Sequence, residues 1–319
     1  MTKMEQKTYQ FILLKMKKFS VETCLDKRFS ELTTLGCGGK ICITIYPASE
    51  RQLVKCVRLF RRLQVTFCVL GKGSNVLASD DDYDGVVIVT TKMKSWRVVG
   101  RNVYALAGAS TVSLASDLKN RGLAGGEFLA CLPATLGGAT VTNAGCFGQQ
   151  MKDVVRQVKV LNGTKIRRLS LKLCKFGKRK SIFSQQDDLV ILSVKMKFAR
   201  GSVDEISTRI DAMRASKAAT QPLNFRSAGS ALYHDKVAVS RLLDIAGLKG
   251  YTVGRAQVST KHAGFVVNLD KAASRDIYLI IRHMQSTLRE RFGLDAHIEI
   301  RLINFAKEVS DCDDIFTGS

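Results

Sequence analysis

Val69-Leu70-Gly71-Lys72-Gly73-Ser74-Asn75 is an apolar run that ends in a glycine-rich turn. Residues 65–70 are short, apolar and stopped by glycine, the pattern of a buried strand. Glycines permit positive φ and close backbone approach, so successive N–H groups after the strand can point at a phosphate. The turn is neither a Walker A loop, which needs Gly-x-x-x-x-Gly-Lys-Ser/Thr, nor a Rossmann fingerprint, which needs a third glycine opening a helix. A tight turn without a ligand satisfies the same residues.

A second glycine-rich stretch lies downstream, Leu132-Pro133-Ala134-Thr135-Leu136-Gly137-Gly138-Ala139 followed by Asn143-Ala144-Gly145-Cys146-Phe147-Gly148. Across 122–148 neither the helical nor the strand period stands out. Long uncharged loops inside a compact domain tend to be functional. Two of them suggest a ligand with a pyrophosphate and a flat body held by backbone groups, a description that FAD fits. Buried turns are the alternative.

Around these loops strands and helices alternate. Strands are expected at 41–46, 86–89, 98–107, 154–161 and 189–198, with Val190, Leu192, Val194, Met196 and Phe198 on one face. Helices are expected at 48–63, capped by Ser49, and at 110–118, capped by Ser110. Residues 1–19 read as a basic helical extension without a core stripe. Ala199-Arg200-Gly201-Ser202 is the best linker. Beyond it come helices at 203–215, 237–246 and 272–292, strands at 256–258, 265–267 and 297–302, and a loose polar tail, 306–319. The domains expected are 20–199, in two parts near 20–90 and 91–199, and 200–305. The class is α+β.

The chain has 319 residues, 45% of them hydrophobic, 25 glycines and three prolines, which suits two or three globular domains. No apolar run reaches the ~18 residues of a membrane span, and no secretory signal is expected. Nine cysteines without a Cys-x-x-Cys pair, and four histidines without ligand spacing, argue against zinc or a disulfide framework and fit a reducing cytosol. No metal ligand is expected. Fifty Lys+Arg against 28 Asp+Glu give +22, densest at 165–180, which holds eight basic and no acidic residues. That charge admits a nucleic-acid partner, a polyanionic ligand or one solvated sheet face.

Several segments then resemble, in order, one family. They are Thr33-Thr34-Leu35-Gly36-Cys37-Gly38-Gly39, the Gly-Lys-Gly-Ser-Asn turn, Gly122-Leu123-Ala124-Gly125-Gly126-Glu127-Phe128 and the loop 133–148. Phe176-Gly177-Lys178-Arg179-Lys180-Ser181, Gln221-Pro222 with Ser227-Ala228-Gly229-Ser230, Ala246-Gly247-Leu248-Lys249-Gly250, residues 256–263 and Glu299-Ile300-Arg301 continue the order. The set is similar to the UDP-N-acetylenolpyruvoylglucosamine reductase (MurB) family over about residues 20–302. About 50 residues separate Arg179 from Ser230, which resembles the shorter, type II subclass.

The resemblance implies an FAD-binding fold of the vanillyl-alcohol-oxidase type in two α+β subdomains, plus a C-terminal α+β substrate domain. It implies non-covalent FAD, NADPH as reductant, and conversion of UDP-N-acetylglucosamine enolpyruvate to UDP-N-acetylmuramate in the cytoplasm. By the same resemblance Gly71, Lys72, Gly73, Ser74, Asn75, Pro133, Thr135, Gly137, Gly138, Asn143 and Gly145 would bind the cofactor. Arg179, Ser230, Gln257 and Lys261 would bind substrate. Arg179, Ser230 and Glu299 would be catalytic. Hydride delivery to the enolpyruvyl methylene builds enolate-like charge, which calls for a fixed cation and a positioned acid. Arg179 matches the carboxylate-binding cation, Ser230 the proton donor, and Glu299 the carboxylate that polarises or relays. A monomer without membrane or nucleic-acid partners is expected.

Departures from the family pattern lie at Lys178, Thr220, Leu232, His234, His297, Cys131 and Ala134, with Lys217 or Arg226 as replacement charge for a lysine missing at Thr220. They predict altered affinity more than lost chemistry. Two other readings remain: a basic nucleic-acid-binding module on a degenerate flavoprotein fold, and an FAD oxidoreductase with another substrate. The lack of aromatic-interleaved basic motifs weighs against the first.

Overall fold

A computed structural model describes residues 5–186 and 188–305; the tail 306–319 and the first four residues lie outside the described residues. The chain forms two compact units, one from Met1–Asp26, Cys42–Ser74 and Asp84–Gln221, the other from Lys27–Ile41, Asn75–Tyr83 and Pro222–Ser319.

The first unit is built on two sheets. One takes its strands in the order Glu22–Cys24, Ile41–Tyr46, Tyr83–Val89, Phe67–Leu70, the last two parallel. The helix Glu50–Arg62 starts where Ser49 Oγ accepts from Gln52 N–H, as expected for that cap. It buries Leu53, Val57 and Phe60 in a core with Ile43, Ile45 and Ile88. Each such side chain contributes about 1.5–3 kcal/mol. The other sheet is antiparallel, ordered Lys165–Ser170, Val155–Asn162, Leu189–Lys197, Asn102–Leu106, Trp96–Val99. Its core includes Leu114, Phe128, Leu136, Val158 and Met196.

Three expectations change here. The N-terminal helix Gln6–Lys18 is no appendage, because Ile12 and Met16 are fully buried in the first core. The strand Leu189–Lys197 does not keep one apolar face. Val190 and Leu192 enter the first core, whereas Val194, Met196 and Phe198 enter the second. The register against Val155–Asn162 shifts between Lys159/Ser193 and Val160/Ile191, leaving Leu192 as an extra residue. One inserted residue reverses the pleat. The boundary near 199/200 moves as well. Helix Val203–Thr220 sends Ile206 and Ile210 into the second core of the first unit, so that unit runs to Gln221.

The second unit recruits two early segments. Leu35, Cys37 and Leu77 share a core with Val258, Val266, Ile281 and Leu288. Strand Val76–Ala78 pairs in parallel with Arg301–Ile303. The carboxylate of Asp80 accepts from the N–H of Gly38 and of Ser274 at 3.0 and 2.6 Å, tying both segments to the start of helix Ser274–Phe292. That helix packs on the sheet Arg226–Ser230, Phe265–Asn268, Ala256–Val258, Thr252–Val253. The expected strand at 297–302 is two short pieces, His297–Ile298 and Arg301–Ile303, and Glu299 lies between them.

Candidate active site

In the first unit the turn after Phe67–Leu70 packs on the start of the helix Leu136–Val141. A Cβ on Gly71 would lie 2.3 Å from Thr135 Oγ1, so glycine is required for this approach. Thr135 Oγ1 also accepts from Gly138 N–H at 3.3 Å, capping that helix. Gly137 N–H bonds Ala107 O at 2.7 Å, and a Cβ at Gly137 would meet the Ala107 methyl at 3.0 Å. Ser110 bridges Thr135 across a β-pair and accepts from Lys72 Nζ at 3.1 Å. Gly73 takes φ +63°, left-handed backbone that glycine tolerates. Pro133 is exposed between Leu132 and Ala134, whose carbonyls both accept from Thr111 Oγ1. Among the described residues, no internal acceptor takes the N–H of Lys72 or Ser74. The N–H groups of Lys72 and Ser74 and the Lys72 ammonium therefore form a donor set that fits the pyrophosphate of a dinucleotide, while the first N–H groups of the helix are already taken by Ala109, Ala107 and Thr135.

The remaining loop residues form a structural cluster. Asn143, buried at φ +46°, donates from Nδ2 to Gln150 Oε1 and Gly177 O at 2.7 and 2.8 Å. Its Oδ1 accepts from Lys152 N–H at 2.9 Å. Its side chain shapes the loop. Phe147 and Gly148, both at positive φ, turn the hairpin of Gly145–Cys146 and Gln149–Gln150. Arg179, itself at φ +55°, donates from Nη1 to Gly145 O at 3.1 Å, so the hairpin helps hold the guanidinium. Cys131 and Cys146 meet thiol to thiol, and burial pushes Cys146 up to about 11. Glu127, which sequence reasoning passed over, is buried and accepts from Gly125 N–H at 2.7 Å and from Arg209 at 3.0 Å. It fastens the loop to helix Val203–Thr220.

Ser230, Glu299, Gln257 and Lys261 lie in the second unit. Ser230 ends the strand Arg226–Ser230 opposite Phe265, after an irregularity at Ala228-Gly229 where Gly229 takes φ +81°. Ala231 N–H bonds Gly264 O at 2.8 Å, and Ala231 O accepts from Glu299 N–H at 2.9 Å. Glu299 is therefore joined to the residue that follows Ser230. Its carbonyl accepts from Asn75 Nδ2 at 2.9 Å, and Asn75 O accepts from Arg301 N–H at 3.0 Å. Asn75 thus brackets Glu299, a role that sequence reading, which placed it with the cofactor, did not find. Lys261 is exposed in a turn where Ser259 Oγ accepts from the N–H of Lys261 and His262 at 3.1 and 3.3 Å. Gln257 sits mid-strand and donates to Thr252 Oγ1 at 3.0 Å. Burial lowers the pKa of His262, whose Nδ1 accepts from Gly264 N–H at 3.1 Å.

The departures find local explanations. Thr220 Oγ1 donates back to Ser216 O, and Lys217 Nζ is bound to Cys131 O at 2.6 Å. Of the two suggested replacement cations, Arg226 is the exposed one, lying against Gly36. Leu232 is a core residue paired with Ile298, and His297 lies on the ring of Tyr233 at 5.4 Å. His234 Nδ1 accepts from Lys236 N–H at 3.3 Å. Lys178 is exposed.

Residues 42–170 match the family described as FAD binding domain, and residues 221–303 match UDP-N-acetylenolpyruvoylglucosamine reductase, C-terminal domain. The first match begins where the chain re-enters the first unit at Cys42, and the second begins at Gln221, the last residue of that unit. A UDP-N-acetylenolpyruvoylglucosamine reductase of Caldanaerobacter subterraneus subsp. tengcongensis is 34% identical over 281 residues, 88% of this chain and 93% of the relative. One from Limosilactobacillus reuteri subsp. reuteri is 35% identical over 286 residues, 89% and 95% of the two chains. The chain belongs to the UDP-N-acetylenolpyruvoylglucosamine reductase family. The crystal structure of the MurB of Thermus caldophilus aligns with a TM-score of 0.75 at 28% identity, over 89% of this chain and 98% of that one. The fold is therefore the FAD-binding fold of this family joined to the MurB C-terminal domain, and the chain's length is that of the shorter MurB type. Among the described residues no helix is long and apolar enough to cross a membrane, and no group of His, Cys, Asp and Glu could hold a metal ion.

Proposed function

We propose that this chain reduces UDP-N-acetylglucosamine enolpyruvate to UDP-N-acetylmuramate at the expense of NADPH, in peptidoglycan precursor synthesis. Membership of the MurB family supports the reaction. The observation that supports pairing Ser230 with Glu299 is the 2.9 Å bond from Glu299 N–H to Ala231 O, which joins the Glu299 backbone to the residue after the serine. When bound, FAD supplies the two-electron relay between NADPH and the substrate double bond. Gly71, Lys72, Gly73 and Ser74 would hold its pyrophosphate, with Thr135, Gly137 and Gly138 packed beneath that turn; Asn143 and Gly145 would set the loop around it. Arg179 binds the substrate carboxylate, where negative charge grows as the double bond is reduced. Ser230 protonates the neighbouring carbon, and Glu299 orients and recharges that hydroxyl. Gln257, Lys261 and exposed Arg226 contact the sugar nucleotide. The protein works as a cytoplasmic monomer.

The test is NADPH oxidation by FAD-supplemented protein, with and without enolpyruvyl substrate. Substrate-dependent oxidation is expected, falling by about 10²–10⁴-fold in Ser230→Ala while flavin content is unchanged. Folded, flavin-loaded protein that leaves NADPH untouched in the presence of substrate refutes the reading.

A further inference from the structure

The charge of this chain has one concentrated feature outside the reductase site. Strand Lys165–Ser170 is an edge of the five-stranded sheet. Lys165, Arg167 and Arg168 on it, and Lys172 and Lys175 beyond it, are all exposed, and among the described residues none of the five is in an ion pair. Arg58 and Arg61 add positive charge at the hairpin tip, donating to the carbonyls of Thr164 and Gly163. Lysine and arginine on a free edge already serve to block strand addition. That purpose leaves a second observation unexplained. Aliphatic side chains are interspersed among the cations and are exposed too, Ile166 by 45%, Leu171 by 38% and Leu173 by 52%. Edge protection calls for the cations and gives these side chains no role.

We propose that this edge and the turn after it form a docking surface for an anionic lipid bilayer. Basic residues are drawn to acidic headgroups, and aliphatic side chains beside them enter the boundary between headgroups and acyl chains. Nucleic acid fits less well. The aromatic residue of the segment, Phe176, packs on Phe183 at 6.4 Å instead of standing out as a stacking platform. The N-terminal helix also exposes Phe11 and Leu14, but Lys15 already lies over the Phe11 ring at 4.8 Å. Docking here is peripheral and reversible, and it does not depend on which reaction the enzyme performs.

The experiment is co-sedimentation of full-length, FAD-supplemented protein with vesicles of phosphatidylglycerol and phosphatidylcholine (3:7) or of phosphatidylcholine alone, at low and high salt. Binding to the anionic vesicles is expected to exceed binding to the neutral ones and to weaken with salt. Each cation removed lowers partitioning about five-fold, the equivalent of about 1 kcal/mol. The triple variant Arg167→Gln/Arg168→Gln/Lys172→Gln then loses about a hundredfold. Leu171→Ser/Leu173→Ser loses the part of the binding that survives high salt. Two controls remove the same charge elsewhere, Lys7→Gln/Lys15→Gln/Lys18→Gln and Lys236→Gln/Arg241→Gln/Arg255→Gln. Circular dichroism and flavin absorbance show that each variant is folded. Equal loss in either control, no preference for anionic vesicles, or patch-dependent binding to a single-stranded oligonucleotide without binding to vesicles overturns the proposal.

Discussion

At the scale of single residues, Asn75 shows how one amide can serve two neighbours. Its Nδ2 holds the Glu299 carbonyl and its own carbonyl holds Arg301 N–H. Asn75→Ala removes the first bond and leaves a carbonyl short of a partner, at a cost of about 1–3 kcal/mol. The expected result is a lower kcat with flavin content retained, read by steady-state kinetics beside absorbance at the flavin band. Gly71→Ala should do the opposite. Its Cβ has no room beside Thr135 Oγ1, so flavin content of the purified protein should fall before any effect on folding. Local chemistry of this kind was only partly legible. Ser49 and Ser110 could be read as caps because their partners lie three residues ahead. Asn143 could not, because Gln150 and Gly177, which consume its amide, lie 7 and 34 residues away. The bond from Asn75 to Glu299 is hidden for the same reason, since 224 residues separate the two.

At the scale of elements, apolar period decided what could be read. Helices Glu50–Arg62 and Ser274–Phe292 carry clear stripes and stand where the sequence put them. Gln6–Lys18 carries only two fully buried residues among four lysines and two aromatic residues of mixed exposure, so its core face is hidden in the pattern. Ile12→Ala tests that face directly. It should destabilise by about 2–5 kcal/mol, visible as a lower midpoint of thermal unfolding, whereas a detached helix would tolerate it. The strand Leu189–Lys197 departs from its expected single face for a different reason: a bulge at Leu192 is set by the partner strand, and alternation within one strand carries no trace of it. The glycine-rich zone resisted reading because its elements are too short to show a period, a five-residue 3₁₀ turn, a six-residue helix and a two-residue hairpin.

At the scale of the whole molecule, two histidines set a pH dependence. Burial lowers the pKa of both His262 and His283. The unfolded chain then binds more protons than the folded one below the ordinary histidine range. The resulting stability is fully present above about pH 6.5 and is lost as pH falls through that value toward the lowered folded-state pKa. His283→Phe keeps a ring against Tyr251, which stacks on His283 at 4.2 Å, and removes one titrating group. Thermal melts from pH 7.5 to 5.5 should fall less steeply for this variant than for the parent.

The interleaving of the units was the least legible feature, since a contiguous domain is the simplest partition of a linear string. It also orders events in time. The parallel partner of Val76–Ala78 is Arg301–Ile303, about 225 residues later, which a ribosome adding 5–20 residues per second reaches after roughly 10–45 s. Through that interval the apolar triplet Val76-Leu77-Ala78 has emerged without the neighbour that will cover it, while the residues on either side of it can already condense into their own unit. Nascent chains of this protein should therefore lean on a holding chaperone until synthesis passes Ile303, and slowing translation late in the message should raise aggregation more than slowing it early.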